Sequence, residues 1–200
     1  MSKYSGSLTR EQFLFRESRI IAKLIIEGYD DSMIIDLVYK DNLFQFPTEK
    51  WIKNLVNVCI GRVRGLDNMG LINQLAYGPL DLAKQINLYS IMKSNRLVKE
   101  FMIEVVGSKL RLNESYLSRV DLNLFFIHLQ EQNEDVNKWT DSTLQRIKQV
   151  LIKFLIELGY MKSLRDGHLQ PIYIYPELID GIKLNRDNDM LIVFNGVNEQ

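Results

Sequence analysis

The chain has 200 residues, 46% of them hydrophobic, with 25 Lys and Arg balancing 25 Asp and Glu. That suits a soluble globular protein of one large or two small domains with a real core, and the neutral balance argues neither for nor against an acidic partner. One cysteine rules out an internal disulfide, and no uncharged run reaches the roughly 18 residues of a membrane span.

Helical periodicity dominates to about residue 160. Thr9 with Gln12 predicts a capping box for a helix running to Glu27, which Gly28 closes in the left-handed conformation. Asp30 or Asp31 opens a short helix through Met33, Ile34, Leu37 and Val38, and a turn follows at "KDNLFQFP". Pro47 bars a helix at Phe46, and Thr48 caps the next one, "TEKWIKNLVNVCIGRVRGL". Its expected buried stripe is Ile52, Leu55, Val56, Cys59, Val63 and Leu66, which makes Cys59 a small hydrophobe rather than a nucleophile. "DNMGLINQLAYG", "PLDLAKQINLYSIMKSN" and "RLVKEFMIEVVGSKLRL" read as three further helices, the second entered through Pro79.

"NESYL" then forms a junction, and Ser118 with Asp121 opens "RVDLNLFFIHLQEQ". A short connector leads to Thr140, which caps the helix in "KWTDSTLQRIKQVLIKFLIELGYM". Beyond Gly159, Asp166–Gly167 between two extended runs predicts a hairpin, "PELIDGIKLN" a short helix and "MLIVFNG" a terminal strand. The expected architecture is mainly α, in two helix-turn-helix-like halves, 1–112 and 113–200, the second with a small β-hairpin wing.

Catalysis has little to work with. The two histidines and one cysteine form no metal-ligand spacing, and no glycine-rich phosphate loop is present. His128, in an apolar helix segment, reads as packed, and His168, beside a turn, as a surface residue; Trp51 and Trp139 read as packing anchors. No enzyme activity and no cofactor is expected.

Local charge points elsewhere. Residues 138–165 carry Lys138, Arg146, Lys148, Lys153, Lys162 and Arg165 against Asp141 and Glu157, a surplus of four. The preceding 116–135 carry Arg119 against Asp121, Glu131, Glu134 and Asp135. A neutral chain has concentrated positive charge on one helix and the turn after it, where a patch can neutralise phosphates. Opposite the apolar stripe of that helix lie Ser142, Arg146, Gln149 and Lys153, with Gln145 on the flank. Thr140, Ser142 and the first N–H groups suit phosphate, Arg146 and Gln149 suit base edges, and Lys162 and Arg165 suit the flanking backbone. The helix beginning at Thr48 repeats the logic, turning Lys50, Asn54, Asn57, Gly61 and Arg64 outward with Lys53 alongside; residues 48–66 hold four basic residues and one acid.

"FLFRESRIIAKLIIEG", "DNLFQFPTEKWIKNL", "LYSIMKSNRLVKEFMIEVV" and "KWTDSTLQRIKQVLIKFLIELGYM" resemble, in order and at compatible spacing, the BrxA family. These proteins are core components of BREX (bacteriophage exclusion) phage-defence systems, in which a methyltransferase marks host DNA. The resemblance implies a mainly helical, non-enzymatic protein that binds double-stranded DNA and works with other BREX components. It supplies no binding motif to map residue by residue, so the candidate residues rest on the helix faces. A monomer is expected, and a cytoplasmic location, the latter because "MSKYSGSLTREQ" lacks the apolar core of a signal peptide. The rival reading is a helical adaptor that docks other defence components through Phe125, Phe126, Ile172, Tyr173 and Tyr175. A dimeric transcriptional regulator comes third, without a heptad run to support it.

Overall fold

The computed structural model describes residues 4–195, which form two compact units: 13–94, and 4–12 with 95–195. Leu8–Glu11 (α1) and Phe15–Ile26 (α2) are separate helices, not the single helix predicted from Thr9 to Glu27. Between them Leu14 takes φ +44°, and the Phe13 carbonyl accepts a hydrogen bond from the buried Asn87 amide at 2.7 Å. In an unbroken helix that carbonyl would face the amide of residue 17. The distant partner takes it instead, and no Thr9–Gln12 capping box forms.

In the first unit α2 packs on Glu49–Arg64 (α4) and Met69–Tyr77 (α5), Asp31–Lys40 (α3) packs on α4, and Leu80–Ser94 (α6) packs on α4 and α5. Gly28, at φ +91°, ends α2, and Asp30 caps α3 by accepting from the Met33 N–H at 2.8 Å. Asn68 does the same for α5 through Leu71 at 3.0 Å. Thr48 holds the cap position of α4 with an extended backbone, but its side chain makes no cap bond. The predicted stripe of α4 is buried throughout, Cys59 included, and Leu66 lies buried just beyond the helix end. α6 is buried nearly all round: Gln85, Asn87 and Ser90 are as hidden as Leu82, Ile86 and Tyr89. Such a helix forms the centre of its unit rather than one side of it.

The second unit begins with Arg96–Glu100 (α7), which continues through a π-helical stretch, Phe101–Gly107, into Ser108–Arg111 (α8). Then come Arg119–Gln132 (α9), the single turn Glu134–Asn137 (α10), Asp141–Glu157 (α11), Pro176–Leu184 (α12), a 3-10 turn at Asn188–Met190, and Ile192–Asn195 (α13). The predicted capping box is present: Asp121 N–H donates to the Ser118 hydroxyl at 3.2 Å, and Ser118 N–H to the Asp121 carboxylate at 2.7 Å. Tyr4 and Arg96 meet through Glu100: the Tyr4 hydroxyl and the Arg96 Nε both donate to its carboxylate, and the guanidinium lies 4.4 Å above the Tyr4 ring.

Two expectations fail here. The terminal strand is helical instead: in "MLIVFNG" Met190 closes the 3-10 turn and Ile192–Asn195 forms α13, packed on the π-helical stretch. The close approach is permitted by Gly107, where an added Cβ would lie 3.0 Å from the Ile192 side chain and 3.2 Å from its carbonyl oxygen. The hairpin wing is also absent; no strand forms among the described residues. Residues 164–166 turn and Gly167 takes φ +68°, but the chain beyond it pairs with the junction before α9. Leu117 N–H donates to Gly167 O at 2.8 Å and Leu169 N–H to Ser115 O at 3.0 Å, around a single bridge of Tyr116 with His168. One further bond, Gln170 N–H to Tyr160 O at 2.8 Å, ties this segment to the end of α11.

Candidate nucleic-acid interface

α11 is the longest helix of the second unit, and its amphipathic pattern decides its orientation. Leu144, Ile147, Leu151, Phe154 and Leu155 are buried, with Val150 and Ile152 beside them; Leu158 is half-buried. Thr140 caps the helix by accepting from the Thr143 N–H at 3.2 Å, and its hydroxyl is also 3.0 Å from that of Ser142. Both hydroxyls therefore sit, exposed, at the positive end of the helix dipole.

Ser142, Gln145, Arg146, Gln149 and Lys153 are all exposed, as are Lys138 before the helix and Lys162 and Arg165 after it. Lys138, Arg146, Lys153, Lys162 and Arg165 form no ion pair among the described residues. Three other cations of this unit are occupied: Arg96 by Glu100 at 2.6 Å, Lys99 by Asp189 at 2.7 Å, and Lys109 by Glu114 at 2.9 Å and Asp121 at 3.1 Å. Burial pushes the Asp121 carboxyl up, but the Ser118 N–H and hydroxyl and the Lys109 ammonium outweigh it and hold it below the usual range.

α11 and α9 bound a cleft of about 730 Å³. Its apolar floor is Leu122, Ile152, Ile156 and Leu164. Arg119, Lys148 and Lys153 bring positive charge to it, Asn123, Gln145 and Gln149 bring amides, and no carboxylate lines it. Lys148, uncounted among the candidate residues, donates to Asn123 Oδ1 at 2.8 Å and lies 5.3 Å from the centre of the Phe126 ring. Burial lowers its pKa, against the opposing charge of Asp141. The cleft itself was not legible, since helix periodicity reports the direction of a face and not its distance from the next helix.

On α4, Lys50, Lys53, Asn54, Asn57, Gly61 and Arg64 are exposed, as expected. Arg64 is nevertheless engaged: it donates to Asp31 at 2.9 Å, across the α3–α4 packing. Asn57 is turned back to the Lys53 carbonyl at 3.1 Å. Arg62, counted in the local charge, is buried. This second face therefore keeps Lys50 and Lys53 as its unpaired cations.

Several smaller expectations are corrected. His128 is exposed rather than packed, and Trp51 is 45% exposed rather than an anchor. Phe125 and Phe126 belong to the core, edge-on to each other and with Phe125 edge-on to Phe101, so they cannot form the docking patch of an adaptor. Exposed apolar residues of α9 lie instead at Val120, Leu124 and Ile127. Among the described residues no cluster of His, Cys, Asp or Glu could hold a metal ion, and no helix is long and apolar enough to cross a membrane.

A mainly helical fold with a cation-bearing helix face and no metal cluster among its described residues defines a helical protein with a candidate binding surface. The BrxA family model matches residues 2–186, and the chain belongs to the BrxA family. It is 35% identical over 160 residues to a BREX protein BrxA from Bacillus cereus (strain H3081.97), covering 80% of each chain. It is 24% identical to a BREX protein BrxA from Escherichia coli O9:H4 (strain HS), covering 96% of this chain and 89% of the relative. A crystal structure of an uncharacterized protein from Magnetospirillum magneticum shares the fold, with a TM-score of 0.83 at 19% identity over 98% of this chain and 100% of the other.

Proposed function

We propose that this protein is a component of a BREX phage-defence system that binds duplex DNA without catalysing a reaction, mainly through phosphate contacts. The observation that carries the reading is the exposed face of α11: Arg146 and Lys153 have no ion-pair partner, whereas Arg96, Lys99 and Lys109 of α7 and α8 have one. Thr140 and Ser142 offer hydroxyls at the helix N-terminus, where the dipole favours phosphate. Arg146 and Gln149 would reach base edges, and Lys138, Lys162 and Arg165 would grip the flanking backbone. Kinship with proteins named BREX protein BrxA supports the defence setting, with other BREX components as partners in the cytoplasm. Lys50, Lys53, Asn54 and Asn57 form a second, weaker surface, from which the Asp31 pairing withdraws Arg64.

The test is titration onto a short fluorescent duplex with Arg146→Glu and Lys50→Glu alongside. Arg146→Glu is expected to lose about tenfold in affinity, a base-edge contact being worth about 1–3 kcal/mol, and Lys50→Glu, at the weaker surface, two- to threefold. Wild-type binding unaffected by either change would remove both faces from the account.

A further inference from the structure

We propose that the cleft between α9 and α11 is a docking groove for an acidic, amphipathic helical segment of a partner protein. Its shape, its floor and its charge all favour that occupant. The lining residues on α11 run from Gln145 to Ile156. At about 1.5 Å per residue they define a groove roughly 17 Å long, the span of three helical turns. Leu122, Ile152, Ile156 and Leu164 make its floor aliphatic. A helix laid in such a groove presents apolar anchors at i, i+3 or i+4, and i+7.

Arg119 stands on the α9 side and Lys148 and Lys153 on the α11 side, with no lining carboxylate to answer them. The complementary surface is therefore a leucine-rich stripe flanked by Asp or Glu. A duplex backbone matches the cations but leaves the aliphatic floor without a partner. A stacked base finds no exposed ring here, because the Phe126 ring is buried beneath Lys148. Gln145, Gln149 and Lys153 belong both to the cleft and to the DNA face proposed above, so segment and duplex would compete; that corollary alone rests on the DNA reading.

The experiment uses the full chain and two fluorescent peptides of about 14 residues with identical composition. One carries leucines at the i, i+3, i+4, i+7 spacing with glutamates flanking them; in the other the leucines are scrambled off that face. The patterned peptide is expected to bind at least tenfold more tightly than the scrambled one. Ile156→Ser, at a 41%-exposed position, is expected to remove most of that difference while leaving the melting curve and duplex affinity within twofold. Arg146, which does not line the cleft, supplies the opposite control: Arg146→Glu should weaken duplex binding and spare the patterned peptide. Absence of patterned-peptide binding, equal binding of the two peptides, or indifference to Ile156→Ser would overturn the proposal. Peptide binding that follows the expected pattern in a protein with no duplex affinity would uphold it and refute the DNA reading instead.

Discussion

Asn87 shows how one buried amide can set the start of a unit. Its side chain takes the Phe13 carbonyl at 2.7 Å, breaks the N-terminal helix there and lets Leu14 adopt a left-handed backbone. Replacing it with Leu leaves that carbonyl without the amide, and a stability loss of about 1–3 kcal/mol is expected in urea unfolding. Asp121 is an electrostatic counterpart at the start of α9. Its folded pKa lies below the usual value, so its contribution is present above the unfolded carboxylate pKa and is lost as pH falls through the folded one. Asp121→Ala should cost about 1 kcal/mol at neutral pH, and the difference from wild type should shrink as unfolding is measured at increasingly acidic pH. Local caps such as Ser118–Asp121 and Asp30 were legible in the sequence because donor and acceptor lie three residues apart. Arg64–Asp31 and Asn87–Phe13 were not, because partners 33 and 74 residues away leave no local pattern.

At the scale of elements, the helices from α2 to α9, α11 and α12 were readable because apolar spacing, caps and glycine stops agree there, whereas α10 lies in the stretch read as a connector. The final segment was misread: "MLIVFNG" has strand-like composition, yet the surface waiting for it is the π-helical stretch of the second unit. Tertiary context overrides β-propensity in a segment this short. Gly107 is the hinge of that packing, and Gly107→Ala must displace Ile192, whose carbonyl would be only 3.2 Å from the new methyl. A loss of about 1–2 kcal/mol is expected, measurable as a lower thermal midpoint. The hairpin failed for a related reason. Asp166–Gly167 does turn the chain, but a turn signal does not name the partner, and the backbone of 167–169 found 115–117.

Over the whole molecule the charges sum to zero, yet they are not evenly used. In the second unit carboxylates hold Arg96, Lys99 and Lys109 of α7 and α8, while Lys138, Arg146, Lys153, Lys162 and Arg165 on and around α11 stay unpaired and outward. The direction of that face was legible from helix periodicity alone. Its division into engaged and available cations required the fold, as did the cleft beside it. The most direct measurement is the salt dependence of duplex binding. If Lys138, Lys153, Lys162 and Arg165 each displace a counterion at about 0.9 per phosphate contact, log K should fall against log salt with a slope of about −3 to −4. Affinity would then drop by roughly two orders of magnitude between about 50 and 200 mM salt, and Lys153→Glu should make the slope shallower by about one. A wild-type protein that does not bind duplex at low salt, or binds with no salt dependence, would contradict the account.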